Sequence, residues 1–344
     1  MENIYSDFQF IWFSAFVILL TGYAILDGFD LGVGMLHLFS KEDRDRRIMI
    51  NAIGPLWDGN AVWLVTSGGA LFAGFPQVYA TICSGFYFPV MFLLSGLIFR
   101  AVAIEFRSKQ TMPWWRWTWD ILFSLASLMI AMTLGSIIGN LVRGIPLDVH
   151  GEFIGDPFDF INAYAVLTGI LTSALFIMHG SIYLMMKTEG ELHERLRAWV
   201  NPAIIFFILC YATTTMATLI YMPHMTEAMK QRPIFFLLGL VNILAIANIP
   251  REINRGRDWR AFLSSCVNIV CLLALFGLGT YPNAVRAIND PANLSLTIYN
   301  SSSSLATLKI LLIMAIIGLP LVISYTSVIH WIFRGKVKLD STSY

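Results

Sequence analysis

Charge is what this sequence has least of. Of 344 residues only 13% are Asp, Glu, Lys or Arg, where a soluble domain carries about 25%. Hydrophobic residues make up 57%, and the mean hydropathy is +0.67. These values exclude a soluble globular chain and define an integral membrane protein. A formal net charge of +1 gives no reason to expect a nucleic acid partner. Cysteine is almost as scarce. Cys83, Cys210, Cys266 and Cys271 lie in apolar stretches without CxxC spacing, which excludes a disulfide framework and a zinc pattern. The first residues, MENIYSDFQF, have neither a basic n-region nor a small-residue cleavage site, so no signal peptide is expected and the first apolar segment stays as a span.

Histidine is short as well. There are six, and only His179 falls well inside an apolar segment; His37 and His330 sit at segment ends, and His150, His193 and His224 in or beside loops. Several haems would need more axial ligands than this within the membrane. His179 is expected to be hydrogen-bonded between helices, and the 15 methionines to pack. No metal site is expected.

What is present is apolar length. A hydrocarbon core of about 30 Å needs about 20 residues of helix. Nine segments approach or meet that length, at 9–38, 53–74, 78–106, 118–142, 159–187, 199–221, 233–249, 260–279 and 305–333. The predicted fold is therefore an all-α polytopic membrane protein of about nine transmembrane helices. Short loops favour antiparallel neighbours, which suggests two four-helix bundles plus one extra helix. The expected divisions are 1–150, a first bundle with an intramembrane acid cluster; 151–282, a second bundle; and 283–344, an outer loop and the ninth helix.

Basic residues set the expected orientation. Lys41, Arg44, Arg46, Arg47, Arg107, Lys109, Arg116, Lys187, Arg195, Arg197, Arg251, Arg255, Arg257, Arg260, Arg334, Lys336 and Lys338 fall on one side, seventeen in all. Only Arg143, Lys230, Arg232 and Arg286 fall on the other. This places the N-terminus outside and the C-terminus in the cytoplasm. The polar stretch 280–304 then lies on the outer surface, as a cap or as a docking surface.

The few charges inside apolar segments are therefore the residues to watch. Asp27 and Asp30 lie in the first, Asp58 near the start of the second, and Arg100 near the end of the third, with Glu105 and Asp120 at the same inner border. A charged side chain in hydrocarbon costs roughly 2.5–3.5 kcal/mol on insertion scales. Asp27 and Asp30 share a helix face, and Gly28, Gly32 and Gly34 beside them invite close helix approach. Two readings stay open. One is a structural ion-pair network in which Arg100 answers one carboxylate. The other is a water-containing route for protons or ions from the cytoplasm, with Asp58 beside Trp57 and Asn60 at its mouth. Three carboxylates against one arginine favour the second.

Four stretches in the first third of the chain carry a resemblance. They are TGYAILDGFDLGVGML (21–36), RRIMINAIGPLWDGNAVWL (46–64), GGALFAGFPQVYA (68–80) and SGFYFPVMFLLSGLIFRAVAIEFRSK (84–109). With LTIYNSSSSLATLKI (296–310), GLPLVISYT (318–326) and HWIFRG (330–335), they resemble subunit II of cytochrome bd-type quinol oxidases. The likeness is dense over 1–120 and 278–336 and thinner between, and 222–233 is brief beside longer members.

The resemblance implies a bacterial inner-membrane subunit paired with a homologous, haem-bearing subunit I. The complex would oxidise quinol and reduce dioxygen to water with protons drawn electrogenically from the cytoplasm. Haem b and haem d would reside in the partner subunit, with none bound by this chain; a quinone here and a small single-helix subunit are admitted but not specified. It implies a proton path at Asp58, Asp27 and Asp30, and structural ion-pair or interface roles for Arg100, Asp120, Glu105 and Trp57. No residue of this chain is expected to be catalytic. A secondary transporter binding substrate or ion at Asp27, Asp58 and Arg100 is the alternative of a different class.

Overall fold

No water is available inside a bilayer to satisfy backbone N–H and C=O groups, so an apolar chain of this kind closes its own hydrogen bonds as helices. The computed structural model describes residues 2–156 and 158–339. In chain order its helices are α1 (Glu2–Leu36), α2 (Asp43–Ile53), α3 (Trp57–Gly74), α4 (Pro76–Gly85), α5 (Tyr87–Phe106), α6 (Pro113–Arg143) and α7 (Ala163–Lys187). There follow α8 (Gly190–Tyr221), the short α9 (Glu227–Gln231), α10 (Phe236–Asn254), α11 (Asp258–Thr280) and α12 (Leu305–Ile332). Two short strands, β1 (Asn283–Val285) and β2 (Leu296–Thr297), pair antiparallel in the loop before α12.

Eight helices are long and apolar enough to cross a membrane among the described residues. The expected span at 53–74 is not one of them. It is helical over Trp57–Gly74 only, and Asp58, Asn60 and four glycines lower its hydropathy. At 18 residues α3 is about 27 Å long, and it packs along α1.

Three further expectations are corrected. The segment 78–106 is broken into α4 and α5 at Phe86, whose φ of −106° and ψ of 37° leave the helix. Pro89 has no N–H to carry the ladder back to Gly85. The span expected at 199–221 starts earlier, as α8 from Gly190. Before α3, the polar α2 was missed because its apolar residues face only one way, with Met49, Ile50, Ala52 and Ile53 buried.

α1 is the hub. It packs against α3, α6, α7, α11 and α12. Glycine sets how closely: a Cβ on Gly32 would lie 1.9 Å from the Phe176 carbonyl oxygen, and one on Gly180 would lie 2.7 Å from the Gly32 backbone. The backbones of α1 and α7 are thus in direct contact, with packing rather than hydrophobic drive holding them together. Gly34 makes the matching approach to α6 against Ser127, where Ser124 Oγ donates to the Gly34 carbonyl at 2.7 Å.

At the face where α1 begins, 280–304 is a folded cap. Val285, Ala287, Leu296 and Ile298 are buried in one core with Trp12, Phe13, Phe75 and Phe86. Ser303 N–H donates to the Gly74 carbonyl at 2.8 Å, Tyr5 Oη donates to the Ser303 carbonyl at 2.9 Å, and Ile145 N–H donates to the Arg286 carbonyl at 3.0 Å. At the opposite face the chain after α12 returns to α7. There Lys187 Nζ donates to the Phe333 carbonyl, and Val337 N–H donates to the Lys187 carbonyl at 2.9 Å.

Gly32→Leu forces α1 and α7 apart, at or above the ~3 kcal/mol end of overpacking costs. Folded protein should therefore fail to accumulate, whereas Gly239→Ala in α10, which meets nothing within 4 Å, should purify as wild type. Size-exclusion yield of the two variants checks this.

Candidate functional site

Two charged clusters form around α1, and they differ in how well their charges balance. The first lies well inside the bundle. Asp27 and Asp30 project from one face of α1 and are both fully buried. Arg100 of α5, also buried, donates from Nη1 to Asp27 Oδ2 at 2.8 Å. Asn60 of α3 donates from Nδ2 to Asp30 Oδ2 at 2.8 Å and to the Leu26 carbonyl at 3.2 Å. Three helices therefore meet at two carboxylates and one guanidinium. Asp27 Oδ1, Asp30 Oδ1 and Arg100 Nε have no hydrogen-bond partner among the described residues.

Arg100 neutralises one carboxylate. Asp30 is answered by an amide, which offers hydrogen bonds but no charge. Buried charge is stable only where it is paired, so Asp30 is the one group here whose counter-charge is missing. That is the arrangement in which a proton can be held and released.

The second cluster closes the face where α1 ends. Asp120 of α6, 1% exposed, is met by His37 Nε2 at 2.5 Å, by Arg107 Nε at 2.5 Å and by Arg46 Nη1 at 2.9 Å. Arg107 reaches on to Asp43 at 2.7 Å, which Arg116 also holds at 3.0 Å. The last turn beyond α1, α2, the end of α5 and the start of α6 are thereby tied together. Cation exceeds anion, and the Asp120 oxygens are saturated. This is a clamp.

Each candidate named from sequence has a place. Asp27, Asp30 and Arg100 come together, and Asp120 belongs to the other cluster. Asp58 joins neither. It lies two residues before the buried Asn60, about 200° around α3, and its side chain is exposed on the surface of the chain. Trp57 is half-buried against the main core, and Glu105 is half-buried on α5. Sequence reasoning missed His37, Arg46 and Arg107, of which the two arginines were counted as loop charges. Arg107 is in fact 1% exposed. The missed signal for His37 was its place, seven residues after Asp30 and just past the end of α1. Asn60 was noted only as a neighbour of Asp58, since a neutral amide carries no charge signal.

His179 of α7 is hydrogen-bonded on both ring nitrogens, Nδ1 with Ser265 Oγ at 2.7 Å and Nε2 with the Ile25 carbonyl at 3.0 Å, and stacks on Phe262 at 4.9 Å. Both ring nitrogens are thus engaged within the helix bundle. Among the described residues no group of three or more His, Cys, Asp or Glu is placed to hold a metal ion.

Fold and site together define a polytopic helical membrane protein with an unbalanced acid pair buried near one end of its first helix. Residues 8–333 match the family model described as cytochrome bd terminal oxidase subunit II, and the chain belongs to that family. It is 32% identical to the cytochrome bd-I ubiquinol oxidase subunit 2 of Escherichia coli K12, over 97% of this chain and 96% of that one. It is 31% identical to the cytochrome bd ubiquinol oxidase subunit 2 of Bacillus subtilis, over 95% and 96%.

Its fold is similar to a chain in the structure of the bd oxidase from Geobacillus thermodenitrificans, with a TM-score of 0.79 and 18% identity over 95% of this chain and 98% of that one. The chain is thus a multi-pass protein of the bacterial inner membrane. Membership in this family takes the place of the transporter alternative as the frame for Asp27, Asp58 and Arg100.

Arg100→Ala strands the Asp27 carboxylate, a change that typically costs 3–5 kcal/mol for a broken buried pair. We expect loss of folded protein, with Arg100→Lys rescuing only partly because an ammonium lacks the planar fork. The double variant Asp27→Leu/Arg100→Met, which removes both charges, should recover most of the yield. Thermal stability in detergent ranks the three.

Proposed function

We propose that this chain is the haem-free subunit of a quinol oxidase that reduces dioxygen to water, that it supports a haem-bearing partner, and that it carries protons towards that partner. The single observation behind the proton role is the buried acid pair in which Arg100 balances Asp27 and only Asn60 answers Asp30. Family membership supports the rest, since the relatives named above are ubiquinol oxidase subunits.

Reducing one dioxygen to two waters takes four electrons and four protons. Two quinols supply the electrons, and the water protons must reach the oxygen site from elsewhere. In this reading the haems, b and d, belong to the partner subunit. This chain contributes proton-holding groups and no catalytic residue. The strong excess of basic residues at the face where α1 ends supports reading that face as cytoplasmic. Protons then enter from the cytoplasm, and their movement is electrogenic.

The carboxylates divide the work. Asp58, exposed on the first turn of α3, collects protons where a partner helix can lie against it. Asp30, behind it on the far side of α3, holds one proton within reach of Asn60. Asp27 is fixed as the anion of Arg100. The Asp120 clamp keeps the helix ends in register around this route. Glu105 and Trp57 are read as interface residues beside it.

In the assembled oxidase, Asp58→Asn should lower oxygen consumption by about 10²–10⁴, the usual range for a lost proton-transfer group, with the haem spectrum retained. Unchanged turnover, or failure of the complex to assemble, removes the relay role. Expressed without its partner, the chain should purify with no haem absorbance; a stoichiometric haem would show that it holds a redox centre of its own.

A further inference from the structure

A cavity of about 620 Å³ opens between α1 and α11 at the face where α1 begins, roofed by the turn Pro223–Thr226 and α9. Its two ends have opposite chemistry. The deep end is apolar, lined by Phe13, Val17 and Ile18 of α1 and by Ala274 and Leu278 of α11. At the mouth stand two guanidiniums, Arg232 and Arg286, with Tyr281, Gln231 and one carboxylate, Glu227. From Phe10 to Ile18, both in the wall, is eight residues or about 12 Å along α1.

The shape is built into the packing. At the bottom Gly277 lets α11 approach Val17, where a Cβ would come within 3.1 Å. At the top Met225 lies over Gly279, where a Cβ would meet its Cε at 2.4 Å, and His224 is tied to the Val142 carbonyl at 2.9 Å. The roof is thus anchored to α6 and α11, while the cavity beneath it stays open.

Neither Arg232 nor Arg286 has a carboxylate within ion-pair distance among the described residues, whereas Arg46, Arg100, Arg107, Arg116 and Arg195 each meet one. Two unpaired guanidiniums at the polar rim of a span, above an apolar slot, match one ligand class: an amphiphile with an anionic head. Arginine meets phosphate through paired, parallel N–H donors. A cavity this size lies within the roughly 300–1,000 Å³ of small-molecule sites and takes a headgroup with the first part of an acyl chain. The rest of the chains can lie along the exposed faces of Ile11 and Ile18.

The geometry points to a phospholipid site in this cavity, with the lipid phosphate held by Arg232 and Arg286 and an acyl chain running down between α1 and α11. Glu227 beside them leaves room for the amine of a zwitterionic headgroup, but the phosphate is the recognised group. A neutral quinone would fill the slot and leave both arginines unanswered.

The test uses the purified complex in detergent, stripped of lipid and then offered phosphatidylglycerol or a diacylglycerol with the same chains, with adducts weighed by native mass spectrometry. One phosphatidylglycerol should bind per complex, and diacylglycerol at least tenfold more weakly. Arg232→Gln/Arg286→Gln should lose the phospholipid at least tenfold, and the corresponding double lysine variant should keep it, which separates loss of charge from loss of fold. Ser14→Phe, which fills the slot and leaves both arginines, should also lose it. Equal binding of diacylglycerol, retention by the double glutamine variant, retention by Ser14→Phe, or a quinone as the copurifying mass would each overturn the assignment.

Discussion

The contact on which the rest of this structure depends is that of Asp27 with Arg100, made between α1 and α5 where neither side chain has water to fall back on. In a bilayer an ion of either sign is tolerated only beside its opposite. That requirement fixes the rotation of α1 about its own axis. Once Asp27 faces α5, Asp30 faces α3 and meets Asn60, while Gly32 meets Gly180 of α7 and Gly34 meets α6. The glycines hold the opposite side of α1 close to α7 and α6.

The two clusters are built from the same residue types and serve opposite ends. Around Asp120 two guanidiniums and an imidazole converge on one carboxylate, every acid oxygen is used, and four helix ends are held. Around Asp27 and Asp30 two carboxylates share one cation, and an oxygen of each is left without a partner. A saturated network rigidifies, whereas one that is incomplete is costly unless a proton or water completes it. The cost is borne by the surrounding core: Tyr183, one turn of α7 beyond His179, donates to the Ala52 carbonyl at 2.8 Å and stacks on Phe29, which closes the space beside Asp30.

The face where α1 begins has few basic residues and is organised by loops. The chain between β1 and β2 is held by side-chain amides and hydroxyls, as in Asn289 with the Leu147 carbonyl at 2.8 Å and Ser295 with the Pro291 carbonyl at 2.7 Å. Together with Tyr5 on Ser303, Ser303 on Gly74 and Ile145 on Arg286, these contacts cover the ends of α1, α3 and α6 at this face. They leave the gap between α1 and α11 to be roofed by the shorter turn 223–226. α12 is the reverse case. Of its residues only Leu308 is buried, so this helix offers nearly its whole apolar surface to lipid or to another chain.

Much of this was legible in the sequence because it depends on local composition. Apolar length marked the spanning helices, small residues beside Asp27 marked a close helix contact, and buried acids marked where the chain pays for polarity. Breaks in helices were harder to read: Phe86 and Pro89 interrupt a stretch that is apolar throughout, and hydropathy does not register a missing N–H. Pairing was not legible at all. Which acid Arg100 answers, that Arg107 turns inward, and that Asp58 turns away from Asn60 depend on helix rotation. Rotation is set by contacts between residues 13 to 73 positions apart, on different helices, and no local pattern of residues records it.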